Sequence, residues 1–300
     1  MELLKKIFTF LSLAFGLLIC LSVLAIVVSI AGLVGGSDSG EFNKLKVKTD
    51  RGVGVVELNG NITSSDSFRK AFKKMIDHDK IKSILVRIDS PGGAVGASEE
   101  LYRIIRESSK PTVCSMANVA ASGGLYAAMG CDKVFANKGT ITGSIGVILM
   151  MPNFSEIAQD NGLKMNVVKS GELKDVGSPF KPFSERDKGF LQGVVDQSYQ
   201  QFVSIISESR KIPEADVRKF ADGRIILGER ALDLGLIDSI GGIHDAAKMA
   251  LQLHDKDEKG EPELVFVSKV DSFADIFQQL DEVLSLRSFF EVRQLRLLFM

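Results

Sequence analysis

Between Ile7 and Val34 the chain carries 28 consecutive residues without a charge (IFTFLSLAFGLLICLSVLAIVVSIAGLV). As a helix this run would reach about 42 Å, more than a hydrocarbon core of roughly 30 Å requires. It is also longer than the apolar core of a cleavable signal peptide, about 7–15 residues. Lys5 and Lys6 precede it, and Asp38 and Glu41 follow. The positive-inside rule then puts the N-terminus in the cytoplasm and the rest of the chain beyond the membrane. Residues 1–34 are therefore expected to be a cytoplasmic stub and a single transmembrane helix in the cell (inner) membrane. A cleaved signal peptide is the bland alternative. Lipidation at Cys20 is disfavoured by the bulky Ile19 before it. The glycine- and serine-rich stretch that follows (GGSDSG) makes 35–43 a flexible linker.

The whole chain has 37 basic and 38 acidic residues; without Lys5, Lys6 and Glu2 the remainder has 35 and 37, a net charge of −2. Such a balance exerts no long-range pull on a polyanion, so no nucleic-acid partner is expected. Three cysteines in 300 residues do not build a disulfide framework. Cys114 falls in an expected strand and Cys131 in the turn before the next. Both read as small buried residues, and their pairing is left open.

From Lys44 onward strands and helices alternate. Strands are expected at 44–49, 52–58, 81–88, 112–116, 133–136, 146–149 and 165–169. Helices are expected at 64–77, 97–107, 122–129, 154–161 and 184–210, with shorter turns at 215–220 and 230–234. Phe68, Phe72 and Ile76 at spacing four mark the first helix; Leu191, Val195, Phe202, Ile205 and Ile206 share a face of the longest. Alternation of this kind implies an α/β fold with mainly parallel pairing.

Three glycine-bearing segments are where chemistry would sit. Asp89-Ser90-Pro91-Gly92-Gly93-Ala94 follows a buried strand and leads into a helix, a setting in which bare backbone N–H groups face outward. Ala120-Ala121-Ser122-Gly123-Gly124 puts a serine among small residues at a helix start. Ser170-Gly171-Glu172-Leu173-Lys174-Asp175 puts a lysine in a loop between glycines. Each alone has an ordinary reading: a Pro-Gly turn, an N-cap serine, a surface lysine. The three histidines, His78, His244 and His254, are scattered, form no metal motif and sit beside no serine turn. No phosphate-binding G-x-x-x-x-G-K-[ST] loop is present. No cofactor or metal is expected.

The order and spacing of RIDSPGG (Arg87–Gly93), NVAASGGLYAA (Asn118–Ala128), TGSIGVI (Thr142–Ile148), SGELKDVGSP (Ser170–Pro179) and ADGRIILGERALDLGLID (Ala221–Asp238) resemble the signal peptide peptidase A family of membrane-anchored serine proteases. The resemblance implies a Clp protease/crotonase-like fold of stacked ββα units. It implies Ser122 as nucleophile, Lys174 as general base, Ser144 as a hydrogen-bonding partner of the lysine amine, and Gly93 and Gly123 as the oxyanion hole. It further implies remnant signal peptides as substrates and assembly of a single-domain form into a homo-oligomeric ring or dome. Leu125 departs from the family, in which an aromatic is common there.

A lysine base must lose its proton near neutral pH, from an ordinary pKa of about 10.4. Glu172 and Asp175 beside it would oppose that, so both carboxylates are expected to point away from Lys174. The peptidase domain is expected over 44–270 and a tail over 271–300. That tail carries Arg287, Arg293 and Arg296 among Leu and Phe. It reads as a packed helix, a membrane-surface segment, or a segment that enters the substrate groove and is cut. Two other readings share the fold: a catalytically inactive membrane scaffold, and a crotonase-like acyl-CoA enzyme.

Overall fold

A computed structural model of the chain describes residue 45, residues 47–266 and residues 298–299. The expected anchor and linker, 1–34 and 35–43, lie outside the described residues, as does most of the tail. The chain divides into Met1–Lys46 and Val47–Met300, and every element below belongs to the second unit. Among the described residues no helix is long and apolar enough to cross a membrane.

Strand β1 (Gly52–Asn59) is buried on both faces, as a strand covered by helices on either side must be. Its residues alternate in direction. Val53 and Val55 pack with Leu85, Val113 and Phe135 against Ala246, Ala247, Ala250 and Leu251 of a C-terminal helix, α8 (Ile243–His254). Gly54 faces the opposite side, where a Cβ would meet Met75 at 2.8 Å. Met75 belongs to α1 (Asp66–Ile76), whose Phe68 and Phe72 are buried with it. The sheet is thus sandwiched between α8 and a layer that begins with α1.

Strand β2 (Ile81–Ser90) pairs in parallel with β1, and β4 (Thr112–Ala120) pairs in parallel with β2. Between them lie the two-residue β3 (Gly93–Ala94) and α2 (Val95–Arg106). After β4 come α3 (Gly123–Ala128), β5 (Lys133–Ala136) and β6 (Ile141–Gly143). Then follow α4 (Ser155–Asp160), the long α5 (Glu185–Arg210), α6 (Glu214–Val217), β7 (Ile225–Leu227), α7 (Gly228–Asp233) and β8 (Ser239–Ile240). Beyond α8, β9 (Glu263–Phe266) closes the β1 edge, and β10 (Leu298–Phe299) pairs with β3. The main sheet has the order β7-β6-β4-β2-β1-β9, with β5 on β4 and β8 on β5. Every pairing in it is parallel except β6 with β7. Strand β4 forks: Val113–Met116 pair with β5, while Val119 pairs with β6.

Three expected strands are corrected. Residues 47–49 form none, because the Glu263 carboxylate takes the N–H groups of Lys48 and Thr49 and the Thr49 hydroxyl, displacing a ladder. The strand expected at 146–149 forms earlier, at Ile141–Gly143, where Val119 and β7 provide partners. Residues 165–169 have no neighbouring strand among the described residues and are irregular, with Met165, Val167 and Val168 exposed.

Cys114, inside β4, and Cys131, just past α3, form a disulfide with Cα atoms 5.7 Å apart. It ties the strand before Ser122 to the end of the helix after it. Closing a loop of this length stabilises a fold by about 3 kcal/mol in the chain-entropy account. Urea denaturation of Cys114→Ala/Cys131→Ala should therefore show a loss of about that size. An unchanged midpoint and slope would mean that the bridge contributes nothing.

Candidate active site

The carboxyl ends of neighbouring parallel strands are where α/β folds place ligands, and the two glycine segments leave β2 and β4 at adjacent ends. Ser90 pairs with Ala120 across the two strands, and the Ala121 N–H donates to the Ser90 carbonyl (3.1 Å). The DSPGG turn is knitted to the strand ends by its own side chains. The Asp89 carboxylate accepts the Val119 N–H (3.0 Å) and the Asn118 amide (2.9 Å). The Ser90 hydroxyl donates to the Gly60 carbonyl (2.6 Å) and accepts the Gly92 N–H (3.1 Å). Asp89 and Ser90 were quoted in the sequence motif but given no role; their supporting function is legible only once the strands are adjacent.

Ser122 stands between β4 and α3 with φ 51° and ψ −116°, outside the regions ordinary for a non-glycine residue. The turn is held from both sides. Its N–H donates to the Gly143 carbonyl (2.9 Å), and its carbonyl accepts the Tyr126 N–H (2.8 Å). The expected alternative, a serine N-cap, is not what forms: the side chain makes no capping hydrogen bond. Its hydroxyl is fully buried and has no hydrogen-bond partner. A buried unpaired hydroxyl costs on the order of 1–3 kcal/mol; Ser83 and Ser209 share that feature, and Ser122 alone of the three adds a positive φ.

Gly93 and Gly123 converge beside it. A Cβ on Gly123 would lie 3.2 Å from the Gly93 nitrogen and 2.4 Å from the Ser98 hydroxyl, so only glycine lets the two turns approach. Gly93 has φ 155°, and a Cβ there would sit 2.1 Å from the Ile62 carbonyl oxygen. Ser144 is also brought near through its neighbour, because Gly143 accepts the Ser122 N–H. It too has a positive φ, 50°, and its N–H donates to the Arg224 carbonyl (2.8 Å). Thr142 anchors the same segment by donating to the Ala120 carbonyl (2.7 Å).

Lys174 is not brought to Ser122 within the chain. It lies on an exposed loop, its N–H bonded to the Gly171 carbonyl (3.1 Å), and its ammonium has no hydrogen bond or ion pair among the described residues. The expectation about its neighbours holds. Glu172 pairs with Arg186, and Asp175 pairs with Lys169 (2.8 Å) and Lys181 (3.2 Å). No metal-binding group of His, Cys, Asp and Glu exists among the described residues. At the other side of the site, Leu298 and Phe299 pair antiparallel with Ala94 and Gly93, so the end of the chain lies along the strand that carries one of the converging glycines.

An α/β fold with a strained, buried serine at a strand-to-helix turn and two glycines converging beside it is a setting in which hydrolytic chemistry can be built. The chain belongs to peptidase family S49, whose model matches residues 104–257. It is 41% identical over 213 residues to a putative protease of Synechocystis, covering 69% of this chain and 76% of that one. It is 37% identical over 183 residues to a putative signal peptide peptidase SppA of Enterococcus faecium, covering 60% and 53%. A third relative, Protease 4 of Haemophilus influenzae, is 32% identical over 213 residues, covering 67% of this chain and 34% of its own length. The chain thus spans about half or less of the last two. Among solved structures, a ClpP1 mutant from Listeria monocytogenes has a TM-score of 0.45 at 15% identity, covering 66% of this chain and 95% of that one.

The packing of Gly123 against Ser98 makes a stability prediction. Gly123→Ala should lower the thermal midpoint, and adding Ser98→Ala, which removes the nearest clashing atom, should recover part of the loss. Additive losses in the double variant would mean that the two positions do not crowd each other.

Proposed function

We propose that this protein is a membrane-tethered serine endopeptidase that cleaves remnant signal peptides, with Ser122 as nucleophile and Lys174 as general base. The observation that carries this reading is the Ser122 hydroxyl: buried, unpartnered and held at a strained turn. Gly93 and Gly123 supply N–H groups for the tetrahedral oxyanion. Ser144 orients the lysine amine. The fold is taken as Clp protease/crotonase-like, in keeping with its parallel ββα progression.

Acyl transfer then runs in two halves. The Lys174 amine takes the Ser122 proton as the oxygen attacks the scissile carbonyl, and the resulting ammonium returns it to the leaving amine. Water, deprotonated by the same amine, hydrolyses the acyl-enzyme. The antiparallel pairing of Leu298–Phe299 with Gly93–Ala94 supports an extended substrate that adds a strand at this edge. It also supports self-processing: mass spectrometry should find a shortened C-terminus in wild type and an intact one in Ser122→Ala. Equal masses would remove that idea.

Because Lys174 and Ser122 do not meet within one chain, the dyad is taken to form between protomers of a ring or dome. Exposed Ile157, Leu163, Met165, Val167 and Val168, on and just beyond α4 in the stretch that leads to Lys174, support such an interface. The Cys114–Cys131 disulfide supports a site outside the cytoplasm, on the far side of the membrane from the N-terminus.

Ser122→Ala and Lys174→Arg should each lose at least about a hundredfold in kcat with the fold intact, the second because guanidinium stays protonated. Ser122→Ala and Lys174→Ala, co-assembled in equal amounts, should regain about a quarter of wild-type activity, since two half-probabilities multiply when assembly is unbiased and sites are independent. A dead mixture of confirmed hetero-oligomers would defeat the shared site. Fluorophosphonate labelling at Ser122 separates the peptidase from an acyl-CoA enzyme, and full biological activity of Ser122→Ala would leave only a scaffold.

A further inference from the structure

The segment that carries Lys174 has little regular structure, yet it is tied down by an alternating chain of charges. The Lys169 ammonium donates to both Asp175 oxygens (2.8 Å each) and to the Glu172 carbonyl (3.1 Å). Lys181 donates to Asp175 (3.2 Å) and to Asp187 (3.1 Å). Asp187 is buried in the first turn of α5, where it completes a capping box with Ser184. The order Lys169–Asp175–Lys181–Asp187 therefore fastens both sides of Lys174 to the start of the longest helix. Two ammonium groups converge on the one carboxylate adjacent to Lys174. The other nearby acid, Glu172, is paired with Arg186 from the same helix turn.

We propose that Lys169 and Lys181 are positioning residues that occupy the Asp175 carboxylate, so that the neighbouring Lys174 is held out without an acidic partner and is free to act as a base. The inference rests on the reading of Lys174 as that base. A carboxylate within about 4–6 Å stabilises the charged form of a lysine. Asp175 is covalently next to Lys174 and would do this if it were released. In place it is committed elsewhere: the hydrogen bond from Lys169, then that from Lys181, holds its carboxyl below the usual range. Asp187 first, then Asp175, holds the Lys181 ammonium above its ordinary value. The charged groups that bear on the segment are thus Lys169, Glu172, Asp175 and Lys181 from the loop itself and Arg186 and Asp187 from α5. Within this set every acid has a basic partner, and Lys174 takes no part in the pairing.

The acid limb of kcat/KM against pH reports the base in the free enzyme. With full-length protein and a synthetic signal peptide, Lys169→Gln/Lys181→Gln should move that limb to higher pH by about one unit. Adding Asp175→Asn should bring it back. Lys169→Arg should behave as wild type. Lys169→Gln alone, which leaves the α5 anchor intact, should move the limb less but in the same direction, and it serves if the double variant does not fold. A limb that stays in place in Lys169→Gln, or one that moves and does not return with Asp175→Asn, would overturn the proposal. So would an inactive Lys169→Gln that Asp175→Asn does not revive, since that is the behaviour of a plain scaffold. Failure of the underlying reading is seen elsewhere: Lys174→Ala would stay active. An inactive Lys174→Ala with an unmoved limb would reject the clamp alone.

Discussion

The turn at Ser122 is the constraint around which the rest is arranged. A serine at φ 51° and ψ −116° does not hold that conformation unaided. It is held because β4 changes partners along its length. Its first half is locked between β2 and β5, its end reaches β6, and the next residue but one donates its N–H to the last residue of β6, Gly143. The disulfide from Cys114 to Cys131 closes the same loop covalently, from within the strand to just beyond the helix. The position of Ser122 is fixed by strand pairing before, helix bonding after and a covalent tie around both.

The second turn, at Gly92-Gly93, is made to fit the first. Asp89 and Ser90 use side chains to hold it against Asn118, Val119 and Gly60, and the missing Cβ atoms at Gly93 and Gly123 let two backbones meet where a side chain would keep them apart. The outcome is one fixed half of the candidate site, in which Gly93 and Gly123 lie beside Ser122. In the proposed reading that fixity would matter, because oxyanion donors act best when they need not reorganise as charge develops.

Much of this half was legible in the chain. Phe68 and Phe72 at spacing four give α1, the Ile- and Leu-rich stretch Ile81–Ile88 gives β2, and glycine-rich turns after buried strands mark the strand ends. Less was legible where a side chain or a distant strand competes for backbone. At 47–49 a carboxylate more than 200 residues away takes the N–H groups, which no local pattern records. At 165–169 the alternation of Met165, Val167 and Lys169 reads as a strand but finds no neighbour. Sequence spacing does not fix a Cα separation, so the pairing of Cys114 with Cys131 is open until the fold sets their Cα atoms 5.7 Å apart.

The residues beyond α4 combine apolar exposure with a loop fastened by ion pairs. The stretch from Leu163 to Val168 exposes apolar side chains, Val168 entirely so, and at the very next residue the charged chain from Lys169 to Asp187 begins. Exposed apolar surface favours association, whereas an ion-paired loop favours one fixed shape. On the proposed reading, placing them side by side would couple the approach of a partner surface to the presentation of Lys174. A base delivered in this way would be competent only in the assembled protein, and its amine would enter an apolar surrounding at the moment of assembly. Burial disfavours the ammonium form. On that reading the exposed lysine of the lone chain would become the base after association, with the Lys169–Asp175–Lys181 clamp keeping the nearest carboxylate occupied.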